Sequence, residues 1–213
     1  MPTSDQSRTA DVAALTKMIM ALPRIPGDSA ASRESSQHVG ALLADAALQP
    51  GLNYASVVVP RVKRIATDYP EAATISGLRA LLERCTAEEV LSNKNARKCA
   101  VFRNLVELMS SLHVDTRDEL RDWLSLPANR PRLLAIKGVG NKTAAYLRLL
   151  VDLPAIAIDV HLRRAAADVG VTGSDEELEQ LFTRAAETTE RSLSEIDQSL
   201  WQAGAERSRR SAT

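Results

Sequence analysis

Aromatic side chains are scarce in this chain. Two Trp, three Tyr and two Phe make up 3% of its 213 residues. That scarcity argues against a sheet that reads nucleic acid by stacking bases on exposed rings. Cysteine is scarcer still. Cys85 and Cys99 are too few for a zinc framework or a secreted disulfide scaffold, and they read as two reduced thiols of a cytoplasmic protein. No apolar run reaches the length that crosses a bilayer, and the opening MPTSDQSRTA has no signal-peptide core. The expectation is a cytoplasmic chain with no membrane partner. Net charge is missing too: 27 basic and 27 acidic residues give a formal charge of zero. Such a chain does not bind polyanions generally, so any nucleic-acid contact has to come from a local patch.

What is present is helical periodicity. With 45% hydrophobic residues the chain can bury one or two sizeable cores. A polar, mobile tail is expected over residues 1–10, then a helix over 11–22 capped by Asp11 and stopped at Pro23 to Gly27. Asp28 to Ser36 reads as a polar connector. Residues 37–48 (QHVGALLADAAL) predict a helix with a wide apolar face, ended by Gln49-Pro50-Gly51. Residues 53–68 contain Val57-Val58-Val59, which favours a strand. The run has no partner pattern, so a helix is expected, with Pro60 as a kink or early break. Two shorter helices around Gly77 are expected over 71–87, and a long amphipathic helix over 96–112 with Cys99 as a small core residue. Another helix is expected over 116–126. Later, Ser174 with Glu177 predicts a capping box at the start of a helix over 174–188. The last helix is expected over 193–207 with Trp201 as its apolar anchor, followed by a frayed tail at 208–213. No internal repeat is visible.

One stretch organises the rest: Leu134 to Val171. Pro131 starts a helix, Gly138-Val139-Gly140 turns the chain, and a second helix opens at Asn141-Lys142-Thr143. Glycines spaced by one residue permit a sharp turn with no side chain over it. The unpaired N–H groups of the following first turn, with the positive end of the helix dipole, suit a phosphate. The surrounding charge agrees. Between Trp123 and Val151 stand Arg130, Arg132, Lys137, Lys142 and Arg148, with no Asp or Glu. A glycine pair that merely turns the chain between packed helices would look the same locally, so the turn alone is not diagnostic. Further on, Asp159 stands where a helix opens and can cap it.

Taken together, Ile136-Lys137-Gly138-Val139-Gly140-Asn141-Lys142-Thr143-Ala144 and Ile158-Asp159-Val160-His161-Leu162-Arg163-Arg164 resemble the helix-hairpin-helix-GPD superfamily of DNA base-excision glycosylases, its endonuclease III branch above all. Turn, lysine and aspartate fall in the family's register, and weaker similarity runs from about Val39 to Trp201. The resemblance implies an all-α, two-lobed fold with DNA bound between lobes. One lobe would run over 28–152 with the hairpin at about 131–151, and the other would join 11–27 to 153–207.

The resemblance also implies roles. Lys142 would be the nucleophile of a glycosylase with AP-lyase activity, and Asp159 would stabilise positive charge on the sugar and assist proton transfer. The amine must be neutral to attack, which burial or a neighbouring cation such as Lys137 would promote. Lys137, Gly138, Val139, Gly140, Asn141 and Thr143 would hold the DNA backbone. Arg164, and Arg163 beside it, would reach a phosphate or simply form a solvated face. His161 matches the pattern as a structural residue.

Gln49 stands near the family's gap-filling glutamine, although Pro50-Gly51 departs from the usual neighbours. Asn53 and Tyr54 offer an amide for a base edge and a ring for stacking, or else a cap and a core residue. Endonuclease III carries a four-cysteine iron–sulfur cluster near its C-terminus. No cysteine follows Cys99 here, so no cluster, other cofactor or metal is expected. The expected partner is double-stranded DNA with a damaged base or an abasic site, bound by a monomer. Two alternatives stand beside this: a non-catalytic helix-hairpin-helix DNA-binding protein, and an enzyme that keeps only half the chemistry, as a monofunctional glycosylase or an AP-site lyase.

Overall fold

The computed structural model describes residues 4–24 and 37–210. The connector expected at Asp28 to Ser36 lies outside the described residues, and so does the Trp201 side chain. Among the described residues there are twelve α-helices, three shorter helical turns and no strand, so the chain is all-α. No helix among them is long and apolar enough to cross a membrane. The chain divides into two compact units. One comprises Met1–Ser29 and Pro154–Thr213, the other Ala30–Leu153.

The second unit is built on α2 (Val39–Leu48), every residue of which is buried. A helix buried on all sides belongs at the centre of a bundle, and α3 (Val59–Asp68), α6 (Ala96–Ser111) and α9 (Asn141–Leu150) pack on it. Its cap is His38, whose Nδ1 accepts the Ala41 N–H at 3.1 Å. The Val57-Val58-Val59 run is helical, in two pieces. A π-type turn over Tyr54–Val58 leads into α3, so Pro60 occupies the first turn of a new helix, where its missing N–H costs nothing. Gly77 does not divide two helices. A single-turn 3₁₀ segment (Pro70–Ala73) precedes α4 (Ile75–Arg84), which Thr74 caps, and Gly77 lies inside it against the Glu71 carbonyl. α5 (Ala87–Leu91) and α7 (Arg117–Ser125) start with Thr–Glu capping boxes. A 3₁₀ turn (Pro127–Asn129) then leads into α8 (Arg130–Leu134), which opens the hairpin. Cys99 is buried as expected, and burial pushes its thiol pKa up.

The first unit holds α1 (Ser4–Ala21), α10 (Val160–Asp168), α11 (Asp175–Thr189) and α12 (Leu193–Arg210). Its core includes Leu15, Ile19, Leu162, Phe182 and Ile196. Both tails expected from sequence differ. α1 begins at Ser4, not Asp11, and α12 continues to Arg210. α1 packs along α11, and the ion pair between Arg8 and Glu177 at 3.8 Å ties the polar early turns to that helix. Tertiary contact thus supplies what helix periodicity over residues 4–10 did not signal. The Ser174 capping box of α11 forms as expected.

Candidate nucleic-acid interface

The hairpin lies in the second unit. α8 is one short turn long, Val139 N–H closes the bend onto the Ile136 carbonyl at 2.9 Å, and α9 begins at Asn141. Gly138 is fixed twice. Its φ is +101°, and a Cβ there would meet Val101 Cγ2 of α6 at 2.6 Å. Gly140 is different. Its φ is −110°, which any residue adopts, and a Cβ would find nothing within 4 Å. Neither φ nor packing requires glycine at 140, where it stands as the N-cap of α9, and the space in front of it is open.

That open space borders the start of α9, which no side chain caps. His38, Thr74, Thr86, Asn95, Thr116, Asp159 and Ser174 cap seven other helices. A helix end without a cap leaves its first amide donors to an outside acceptor. Three of the local cations, Arg132, Lys137 and Lys142, make no hydrogen bond or ion pair with the described residues. Lys137 is exposed and Lys142 half-buried. The other two are engaged internally, Arg130 with Asn141 Oδ1 at 3.3 Å and Arg148 with the Leu124 carbonyl at 2.8 Å. Val139 and Thr143 are buried, so from that pair only backbone groups remain for a ligand.

One base-pocket candidate, Tyr54, is tied to the hairpin helix through a residue that sequence reasoning missed. Asp45, in the middle of α2, is only 3% exposed. Its Oδ2 accepts the Tyr54 hydroxyl at 3.2 Å and its Oδ1 the Tyr146 hydroxyl at 3.0 Å. Tyr146 lies one turn after Lys142 on α9. The carboxylate therefore ties the π-type turn to the hairpin helix, and the Tyr54 ring stays 36% exposed with its hydroxyl anchored. A lone acid within VGALLADAAL was the available signal, because a buried carboxylate requires partners. Asn53 is a cap, its Oδ1 accepting the Ser56 N–H at 3.0 Å. Gln49 is the half-buried end of α2, its N–H bonded to the Asp45 carbonyl at 2.9 Å.

Lys98 was also missed. Its ammonium donates to the carbonyls of Ala47 at 3.4 Å, Leu48 at 2.8 Å and Pro50 at 2.6 Å. It neutralises the negative end of α2 and fixes the Gln49-Pro50-Gly51 bend. Burial, and secondarily the charge of Arg97, hold its pKa below the usual lysine value.

In the first unit Asp159 caps α10. Its Oδ1 accepts the N–H groups of His161 at 2.8 Å and Leu162 at 3.0 Å, while Oδ2 accepts none among the described residues. The capping role thus occupies one oxygen and leaves the other. Arg163 is committed to the Gly173 carbonyl and Asp175. Arg164 is exposed and has no partner among the described residues. Val160 is 60% exposed beside Asp159. Among the described residues no group of three His, Cys, Asp or Glu is placed to hold a metal ion. Compared with known protein families, with curated proteins and with solved structures, the chain matches none.

Proposed function

We propose that this chain is a two-lobed DNA base-excision glycosylase with AP-lyase activity, acting as a cytoplasmic monomer on duplex DNA that carries a damaged base or an abasic site. The observation that supports it most is the start of α9. There an uncapped helix end, an unobstructed glycine and an unpaired lysine follow one another within three residues. In this reading the amides of the 138–143 turn hold a backbone phosphate. The neutral Lys142 amine attacks C1′ of the damaged nucleotide. The bond from C1′ to the base breaks, and the base leaves with a proton. The sugar ring opens as the amine and C1′ form a Schiff base, and loss of a C2′ proton then expels the 3′ phosphate and nicks the strand. Asp159 keeps Oδ1 on its helix cap and turns Oδ2 to the positive charge that develops on the sugar. Tyr54 stacks on the displaced base.

One observation favours a second reading. The two capping bonds of Asp159 are a sufficient structural reason for that residue. A non-catalytic DNA-binding protein would keep the hairpin and that cap, with no Schiff base formed. Borohydride trapping on a duplex with one abasic site separates the two. The enzyme gives a covalent adduct that Lys142→Ala abolishes, and the binder gives a salt-sensitive complex but no adduct. A monofunctional glycosylase gives no adduct but releases the base from a damaged duplex.

A further inference from the structure

We infer that Arg97, on the first turn of α6, is a phosphate-binding residue that completes the hairpin's grip on the DNA backbone. The inference rests on the DNA-binding reading above and adds to it a contact from outside the hairpin. The geometry comes from Gly138: a Cβ built there would lie 3.6 Å from Arg97 Nε and 3.9 Å from Arg97 Cγ. The arginine side chain therefore runs along the turn. Val101, one helical turn further on, supports the same turn from behind, so α6 presents residues 97 and 101 together to the bend.

Nothing in the fold rewards a cation at this place. Arg97 is exposed and makes no hydrogen bond or ion pair with the described residues. The first turn of α6 has no acid, and Lys98 follows directly. Two cations on the positive end of a helix repel each other and the dipole, and the Lys98 pKa, held down first by burial, is lowered further by the charge of Arg97. Lys98 has a structural reason to be there, since its ammonium is filled by three carbonyls. Arg97 has none. An outside anion over the turn removes the conflict. Arg97 Nε and its guanidinium nitrogens donate to the same phosphodiester that faces the amides of the turn, or to the next one along.

The test is duplex binding by the full chain across a salt series, comparing wild type, Arg97→Ala, Arg97→Lys and, as an exposed cation of α7 outside the hairpin, Arg121→Ala. Arg97→Ala is expected to lower the slope of log affinity against log salt by about 0.9, the effect of one lost phosphate contact. The loss should be uniform across duplex sequences. Arg97→Lys should retain most of the slope, and Arg121→Ala should leave it unchanged. Each variant's thermal unfolding checks that it is folded. A wild-type slope retained by Arg97→Ala, or an equal fall with Arg121→Ala, overturns the inference and leaves the hairpin reading intact. Wild type with no salt-dependent duplex binding removes both.

Discussion

The two glycines of the hairpin turn separate what the fold needs from what a ligand needs. Gly138→Ala puts a side chain at φ +101° and against Val101, and should lower the free energy of unfolding in urea by about 2 kcal/mol. Gly140→Ala meets no atom, and the lost N-cap preference offsets the entropy gain of the unfolded chain, so stability should stay within about 1 kcal/mol of wild type. In the DNA-binding reading Gly140→Ala still weakens duplex binding, because the new methyl group stands where a phosphate approaches. A stable Gly140→Ala protein with unchanged duplex affinity would count against that reading. Asp45 gives a second residue-scale test. Tyr146→Phe or Tyr54→Phe removes one of its two phenol bonds and should cost about 1–2 kcal/mol in urea unfolding, and Asp45→Ala should cost more than either. Equal stability of Asp45→Ala and wild type would show that the carboxylate does not tie α2 to α9. The hairpin glycines were legible in the sequence by their spacing. Asp45, Tyr146 and Lys98 were not, because each acts on residues tens of positions away, through a contact that no local pattern encodes.

At the scale of elements, the helix starts were the most legible feature. Asp159 and Ser174 cap where their chemistry says they should. The boundaries that differed are those set by neighbours: α1 extends to Ser4 along α11, and Gly77 enters α4 because the Glu71 carbonyl packs against it. Four glutamates close the capping arrangements, Glu89, Glu119, Glu177 and Glu195. In each case backbone N–H bonds, those of Thr86, Thr116, Ser174 and Ser192, are the main cause holding the carboxyl pKa below its ordinary value of 4.5. A carboxyl depressed in the folded state contributes stability that is fully present above the unfolded pKa and is lost as pH falls through the lower folded one. Unfolding free energy should therefore be level from neutral pH down to about pH 5 and fall below it. With all four changed to Gln, stability at neutral pH should drop and the fall on acidification should become shallower. An acid limb of unchanged steepness in that variant would place the pH dependence elsewhere.

For the whole molecule, helices and turns were legible from periodicity, and the described residues are all-α as the family resemblance implied. Its functional reading came from a motif register that composition does not carry. A formal charge of zero hides a local run: residues 124–150 carry five cations and no acid, and Arg97 of α6 lies against Gly138 in the same turn. Lys142 and Asp159 belong to different compact units, and the proposed chemistry calls on both. The most direct test of that claim is borohydride trapping on a duplex with a single abasic site, with wild type, Lys142→Ala and Asp159→Asn side by side. Wild type should give a covalent adduct, Lys142→Ala none, and Asp159→Asn an adduct that forms more slowly. Wild-type protein that binds the same duplex and yields no adduct would contradict that claim.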